Sequence, residues 1–135
     1  MSVYVDDMRA RVGRMVMCHM LADADSELHA MADHIGVARG WHQAPPAHDS
    51  HYDIALSKRA AAIAAGAIEI TWRQAGAMVM RRRVNGELGS PADAIEWQTK
   101  FFAARREAAQ QTNSSRSRTA KLNASTRLPT LRFPA

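Results

Sequence analysis

The sequence holds a single cysteine, Cys18, so no disulfide can form within the chain. That usage suits a reducing compartment, and a cytoplasmic location is expected. Aromatic residues make up only 6% of the chain, and eight methionines predict a core filled by adaptable thioethers instead. No run reaches the ~18 apolar residues of a membrane span, because Arg14, His19, Asp23 and Asp25 interrupt the longest candidate. Asp6 and Asp7 stand where a signal peptide would be basic and then apolar. A glycine-rich phosphate loop is missing, and neither Ser50 nor Ser57 lies in a nucleophile elbow.

Acidic residues are also absent after Gln111, whereas Arg116, Arg118, Lys121, Arg127 and Arg132 all follow it. These five cations account for the whole net charge of +5. The alkaline balance therefore describes a tail and not a basic binding face. Such a tail is expected to be disordered and to bind nucleic acid weakly and without specificity.

What remains is ordinary for one domain, with 47% apolar and 23% charged residues in a chain of 135. Val3–Val5 reads as a short strand that ends in Asp6 and Asp7. Met15–Leu21 reads as a second strand, with Met15, Met17, His19 and Leu21 on one face. Leu28, Met31, Ala32 and Ile35 then fall at helical spacing after candidate caps Asp23, Asp25 and Ser26, and Gly36 stops that helix. Residues 37–50 form a long loop carrying Gly40, Pro45 and Pro46. Tyr52–Ala65 is predicted to be an Ala-rich helix started by His51 and Asp53.

Ala67–Ile70 is the third expected strand, and Thr71-Trp72-Arg73-Gln74 is a capping box that opens a helix ending in Arg81-Arg82-Arg83. Those arginines read as a solvated helix end, and Trp41 and Trp72 read as packing residues. Ser90-Pro91 starts a last helix with the stripe Trp97, Phe101, Ala104 and Ala108. The pattern predicts an α/β fold with a small sheet of about three or four strands, mostly parallel and flanked by helices, plus a C-terminal helix and a disordered basic tail. In residue ranges this is an α/β core over 1–85, a helical extension over 86–111 and the tail over 112–135.

Ligand sites of open α/β sheets gather beyond the carboxyl ends of strands. Asp6, His19, Asp23, His51 and Asp53 all fall at that address, and they are the candidate catalytic residues. Asp6, His19, His51 and Asp53 are also the candidate ligands of a divalent metal, since imidazole and carboxylate are usual donors. No spacing matches a known zinc signature. A metal-free alternative uses the same groups as acid and base, with Lys58 and Arg59 gripping a phosphate. In the bland alternative Asp23, His51 and Asp53 cap helices and His19 is a core histidine.

The runs Tyr4-Val5-Asp6-Asp7-Met8-Arg9, Cys18-His19-Met20-Leu21-Ala22-Asp23, Glu27-Leu28-His29-Ala30-Met31-Ala32, His51-Tyr52-Asp53 and Ala65-Gly66-Ala67 occur in this order. Together they resemble a bacterial and phage family known as domain of unknown function 4031. The resemblance covers about the first eighty residues and leaves out the extension from Gly86. It maps the family's motif positions onto Asp6, His19, Asp23, His29, His51 and Asp53. Relatives of this kind stand beside or are fused to metal-dependent phosphohydrolases, but the family carries no established activity to bring over.

Two expectations follow. The first is a small hydrolase of a phosphoester or nucleotide, built on the His/Asp cluster with or without a divalent metal. The second is a non-catalytic phage or bacterial accessory module that binds a protein or nucleic acid through its C-terminal extension. Exposed aromatics on the last helix also suggest a homodimer.

Overall fold

The computed structural model describes residues 1–125 of the chain. Six strands form one sheet: β1 (Val3–Val5), β2 (Ala10–Val12), β3 (Met15–Ala22), β4 (His42–Gln43), β5 (His51–Ala55) and β6 (Ile68–Glu69). The order is β4-β5-β3-β1-β6, with β2 also paired to β3. Only the β1–β6 pair is parallel among these, so the expected small, mostly parallel sheet is corrected to a mixed and mainly antiparallel one. The reason lies in two unforeseen strands, β2 and β4, which pair antiparallel with β3 and β5 and are too short to show a period. Gly13, at φ 63°, makes the tight turn between Val12 and Met15.

Four helices flank the sheet: α1 (Asp25–Ile35), α2 (Leu56–Ala64), α3 (Trp72–Asn85) and α4 (Pro91–Ser125). α1 ends as predicted on Gly36 in the left-handed region, where Val37 N–H closes back on Ala32. It buries Leu28, Ala32 and Ile35 against Val5, Met20, Tyr52 and Ile54 of one sheet face. Leu28 and Ile35 each contribute about 1.5–3 kcal/mol of burial. α3 opens on the predicted capping box, in which Thr71 Oγ1 accepts from Gln74 N–H and Gln74 Oε1 accepts from Thr71 N–H. Its Ala75 and Met78 pack on the opposite face with Tyr4, Leu21, Ile70, Leu88 and Ala94.

Residues 51–55, expected at a helix start, form the strand β5, and α2 begins only at Leu56. The alternation of buried Tyr52 and Ile54 with half-buried His51, Asp53 and Ala55 is a strand pattern hidden by the alanines that follow. Arg81 and Arg82 correct the reading of a solvated helix end. Arg81 is buried with its guanidinium on Asp93 at 3.1 Å and 5.4 Å from the Trp97 ring. Arg82 donates to the carbonyls of His48 at 2.8 Å, Ala22 at 3.0 Å and Ser50 at 3.3 Å.

The chain divides into two compact units, Met1–Gln98 and a second that begins at Thr99. Leu88 and Ala94 therefore pack within the first unit, beyond the expected boundary at 85. In the second, helix continues through 112–125, where the composition had predicted a disordered tail. Thr112 and Thr119 hydroxyls turn back onto the carbonyls of Ala108 and Ser115, so polar side chains that usually compete with a helix are accommodated by it. The rest of the predicted tail, 126–135, lies outside the described residues. Among the described residues no helix is long and apolar enough to cross a membrane.

Candidate functional site

β1 and β2 lie end to end along the same edge of β3, and the chain between them leaves the sheet just after Val5. This departure turns the Asp6 carboxylate back over the sheet. Its Oδ1 accepts the backbone N–H groups of His19 at 2.8 Å and Met8 at 3.2 Å. Its Oδ2 lies 2.7 Å from His19 Nδ1. Asp6 is fully buried.

Register supplies the next members. His19 on β3 is the cross-strand partner of Asp53 on β5, and Gln43 on β4 is the partner of His51. Period two places His19, Leu21, His51 and Asp53 on the α3 face, so these side chains form neighbouring rows across adjacent strands. His51 Nε2 stands 3.4 Å from Asp53 Oδ1, and His19 Nε2 stands 3.6 Å from the same oxygen. Ligand atoms from His19, His51 and Asp53 all lie within 4.8 Å of one another.

Each of the three is held from behind. Asp6 accepts the His19 Nδ1 proton, and the backbone carbonyl of Asp49 accepts that of His51 Nδ1 at 2.5 Å. Gln43 Nε2 donates to Asp53 Oδ2 at 2.7 Å. The result is that both Nε2 atoms and Asp53 Oδ1 converge. Asp53 Oδ1 is buried and has no hydrogen-bond partner among the described residues. Separations of 3.4 and 3.6 Å are too long for hydrogen bonds, which fall at about 2.7–3.2 Å. These two separations, though not the 4.8 Å span of the whole set, match ligand atoms about 2.0–2.1 Å from a shared tetrahedral ion, which stand about 3.4 Å apart.

The electrostatics agree with a cation site. Burial would raise the Asp6 carboxyl, but hydrogen bonds from the His19 ring and from the His19 and Met8 amides outweigh it and hold its pKa below the ordinary value. The His19 imidazole is raised, chiefly by its hydrogen bond to Asp6, against a desolvation cost and with help from the charges of Asp6, Asp53 and Asp49. Three carboxylates thus face two imidazoles. An added cation would relieve the excess negative charge.

A cavity of about 270 Å³ opens against this cluster, with Asp6, His19, Asp49 and His51 at its polar end. Trp72, Ala75, Gly76 and Val79 of α3 form one wall, and Met8 and Leu21 complete it. α3 is anchored beside the site because Trp72 N–H donates to Asp7 Oδ1 at 2.7 Å. Arg82, near the other end of α3, holds the carbonyls on both sides of Asp49 and so fixes the segment that delivers His51.

Of the residues expected from the sequence, Asp6, His19, His51 and Asp53 come together, with Asp6 supporting His19 instead of facing His51 and Asp53. Asp23 does not join them. It lies four residues further along the chain from His19, where its Oδ2 accepts Ser2 N–H at 2.7 Å. Lys58 donates to the Ile35 carbonyl at the end of α1, at 2.8 Å. Arg59 braces the site from outside, donating to the Asp6 carbonyl at 2.7 Å and pairing with Glu69 at 3.3 Å. His29 bonds the Tyr52 hydroxyl at 2.6 Å, away from the metal-type cluster, with His42 packed edge-on to it. Gln43, Asp49 and Arg82 were missed. The alternation Asp49-x-His51-x-Asp53 was the signal available for Asp49.

The family model described as Protein of unknown function (DUF4031) matches residues 3–82. The chain belongs to that family. The DUF4031 stretch contains the three convergent residues, the groups that orient them, and Arg82 at its last position. No curated protein and no solved structure matches the chain.

Proposed function

We propose that this DUF4031 chain is a metal-dependent hydrolase of phosphoester or nucleotide substrates, with a divalent transition metal held by His19 Nε2, His51 Nε2 and Asp53 Oδ1. The observation that carries the reading is the buried, unpartnered Asp53 Oδ1 facing two imidazole nitrogens at 3.4 and 3.6 Å. Two imidazoles and one carboxylate suit zinc and its neighbours, and they leave coordination positions open toward the cavity. Backing of each imidazole by a carboxylate or a carbonyl is the usual support of a histidine ligand.

A bound ion of this kind lowers the pKa of water and polarises a phosphoryl oxygen. In this reading the attacking group is water, and no serine, threonine or cysteine lines the cavity to compete with it. Ser50 is buried and occupied by Asp25 and His42, and Cys18 is buried as well. The role of Asp6 is to keep the His19 Nδ1 proton in place, so that Nε2 presents its lone pair. Gln43 keeps one Asp53 oxygen occupied so that the other is available.

The test is metal analysis of the purified protein, a zinc and manganese titration, and a screen of generic phosphoesters with and without chelator. The expected result is one tightly bound ion per chain and turnover that chelator removes and metal restores. Failure of both metals to bind, or full binding by Asp53→Asn, overturns the reading.

A further inference from the structure

The cavity beside the cluster has two unlike ends. Its polar end is the His19–His51 pair with Asp6 and Asp49, and the remainder is apolar. A volume of about 270 Å³ falls just below the ~300–1,000 Å³ of typical small-molecule sites, so it accommodates one compact group. The wall from α3 consists of positions 72, 75, 76 and 79, which share one helix face. Two of them, Ala75 and Gly76, are small, which leaves the wall shallow and flat.

Gly76 has no backbone reason to be glycine. It lies inside α3, and its φ is not among the positive values found at the turn and cap glycines. A Cβ built there would meet nothing within 4 Å. Glycine in a helix interior costs about 1 kcal/mol relative to alanine, and neither close packing nor a strained backbone offsets that cost here. What the glycine leaves is open space on the α3 wall.

Trp72 completes the case. It is 50% exposed at the start of α3, where the sequence predicted a packing residue. The Arg73 guanidinium stands 5.4 Å from its ring. An exposed indole at the mouth of an apolar cavity is a stacking surface for a planar ring. We infer that this cavity receives the flat aromatic ring of a phosphorylated substrate, a nucleobase in the case tested, between Trp72 and Gly76, with the phosphate directed at His19 and His51. This inference rests on the hydrolase reading for the phosphate end, whereas the ring end stands on the cavity alone.

The experiment compares AMP, ribose 5-phosphate and adenosine as ligands of the full chain, each with zinc and with EDTA, by calorimetry and ligand-observed NMR. With zinc, AMP should bind at least tenfold more tightly than ribose 5-phosphate, and adenosine should bind detectably even in EDTA. Gly76→Leu fills the cavity and should bring AMP to the affinity of ribose 5-phosphate, with zinc affinity unchanged. Trp72→Ala, at an exposed position, should weaken adenosine and AMP in parallel and serves if Gly76→Leu folds poorly. Gly76→Ala should raise the melting temperature while weakening AMP, which a purely structural glycine would not do. Equal affinity for AMP and ribose 5-phosphate in the unmodified chain, or an AMP preference that survives both Gly76→Leu and Trp72→Ala, overturns the ring assignment. Zinc binding without adenosine binding removes the ring site alone; adenosine binding that Gly76→Leu abolishes, in a protein that takes no metal, removes the hydrolase reading alone.

Discussion

Asp6 grips His19 at two points, through the backbone amide at 2.8 Å and the ring Nδ1 at 2.7 Å. One buried carboxylate therefore fixes both the position of β3 and the rotation and tautomer of its imidazole. Asp6→Asn would present an amide donor or a weaker acceptor to Nδ1 and release the tautomer. Zinc affinity should fall by about 10–100-fold, as for other residues that orient a metal ligand. A competition titration against a chromophoric chelator measures it, and an unchanged affinity would show that Asp6 serves the fold only.

The same pair sets a pH signature in the metal-free protein. The Asp6 carboxyl is lowered from 3.8, so its contribution is complete above that value and is lost as pH falls through the folded pKa. His19 is raised from 6.5, so its contribution is complete below that value and is lost as pH rises through the folded pKa. In EDTA, the melting temperature should therefore fall on both sides of a window from about pH 4 to pH 6.5. Calorimetric scans of the parent and of His19→Gln across that window should differ most inside it. Parallel profiles would remove the pair as the source.

Asp53 separates function from stability. Its Oδ1 makes no hydrogen bond and stands 3.4 and 3.6 Å from the His51 and His19 imidazoles, so Asp53→Asn removes a half-buried charge without breaking a hydrogen bond at that atom. The metal-free variant should melt at the same temperature as the parent or higher, while zinc affinity drops at least 100-fold. Thermal scans with and without zinc test both halves. A variant that loses stability in EDTA would assign Asp53 a structural role.

Arg82→Met should act at a distance from the cluster. Its three carbonyl partners, on His48, Ala22 and Ser50, would lose a charged donor, at a stability cost of about 1–3 kcal/mol. Loosening of the segment before His51 should also lower zinc affinity, although Arg82 touches none of the three ligands. Denaturant melts and zinc titration on the same sample would show whether the two losses occur together.

Truncation after Gln111 removes five cations and no acid. Nucleic-acid binding by the full chain should fall as log affinity against log salt with a slope of roughly −3.5 to −4.5, and the truncated chain should lose it without a lower melting temperature. Equal DNA binding by both chains would place the basic surface within residues 1–111 instead.

Much of the framework was legible in the sequence because local signals decided it. Gly36, the Thr71–Gln74 box and Pro91 mark helix ends through backbone chemistry that acts over a few residues. β5 was not legible, since five residues of alternation run directly into Leu56 and the alanines of α2. The candidate ligands were found by residue type, yet their convergence depends on the His19–Asp53 register, which is long-range information. Asp23 and His19 share one short segment, but strand geometry carries them apart. Arg82 looked like solvated charge because nothing in a run of three arginines reveals which one meets three carbonyls.

His19 and Asp53 are directly opposed on β3 and β5, one of the two inner pairs of the sheet path, with His51 two residues from Asp53 on the same strand. An ion held there would rivet two strands whose separation is a necessary step of unfolding. Every factor of ten in free zinc above the dissociation constant would then add about 1.4 kcal/mol to the work of opening the sheet. The lifetime of the protein would rise and fall with the zinc available around it, so the same three side chains would set both when the chain can act and how long it persists.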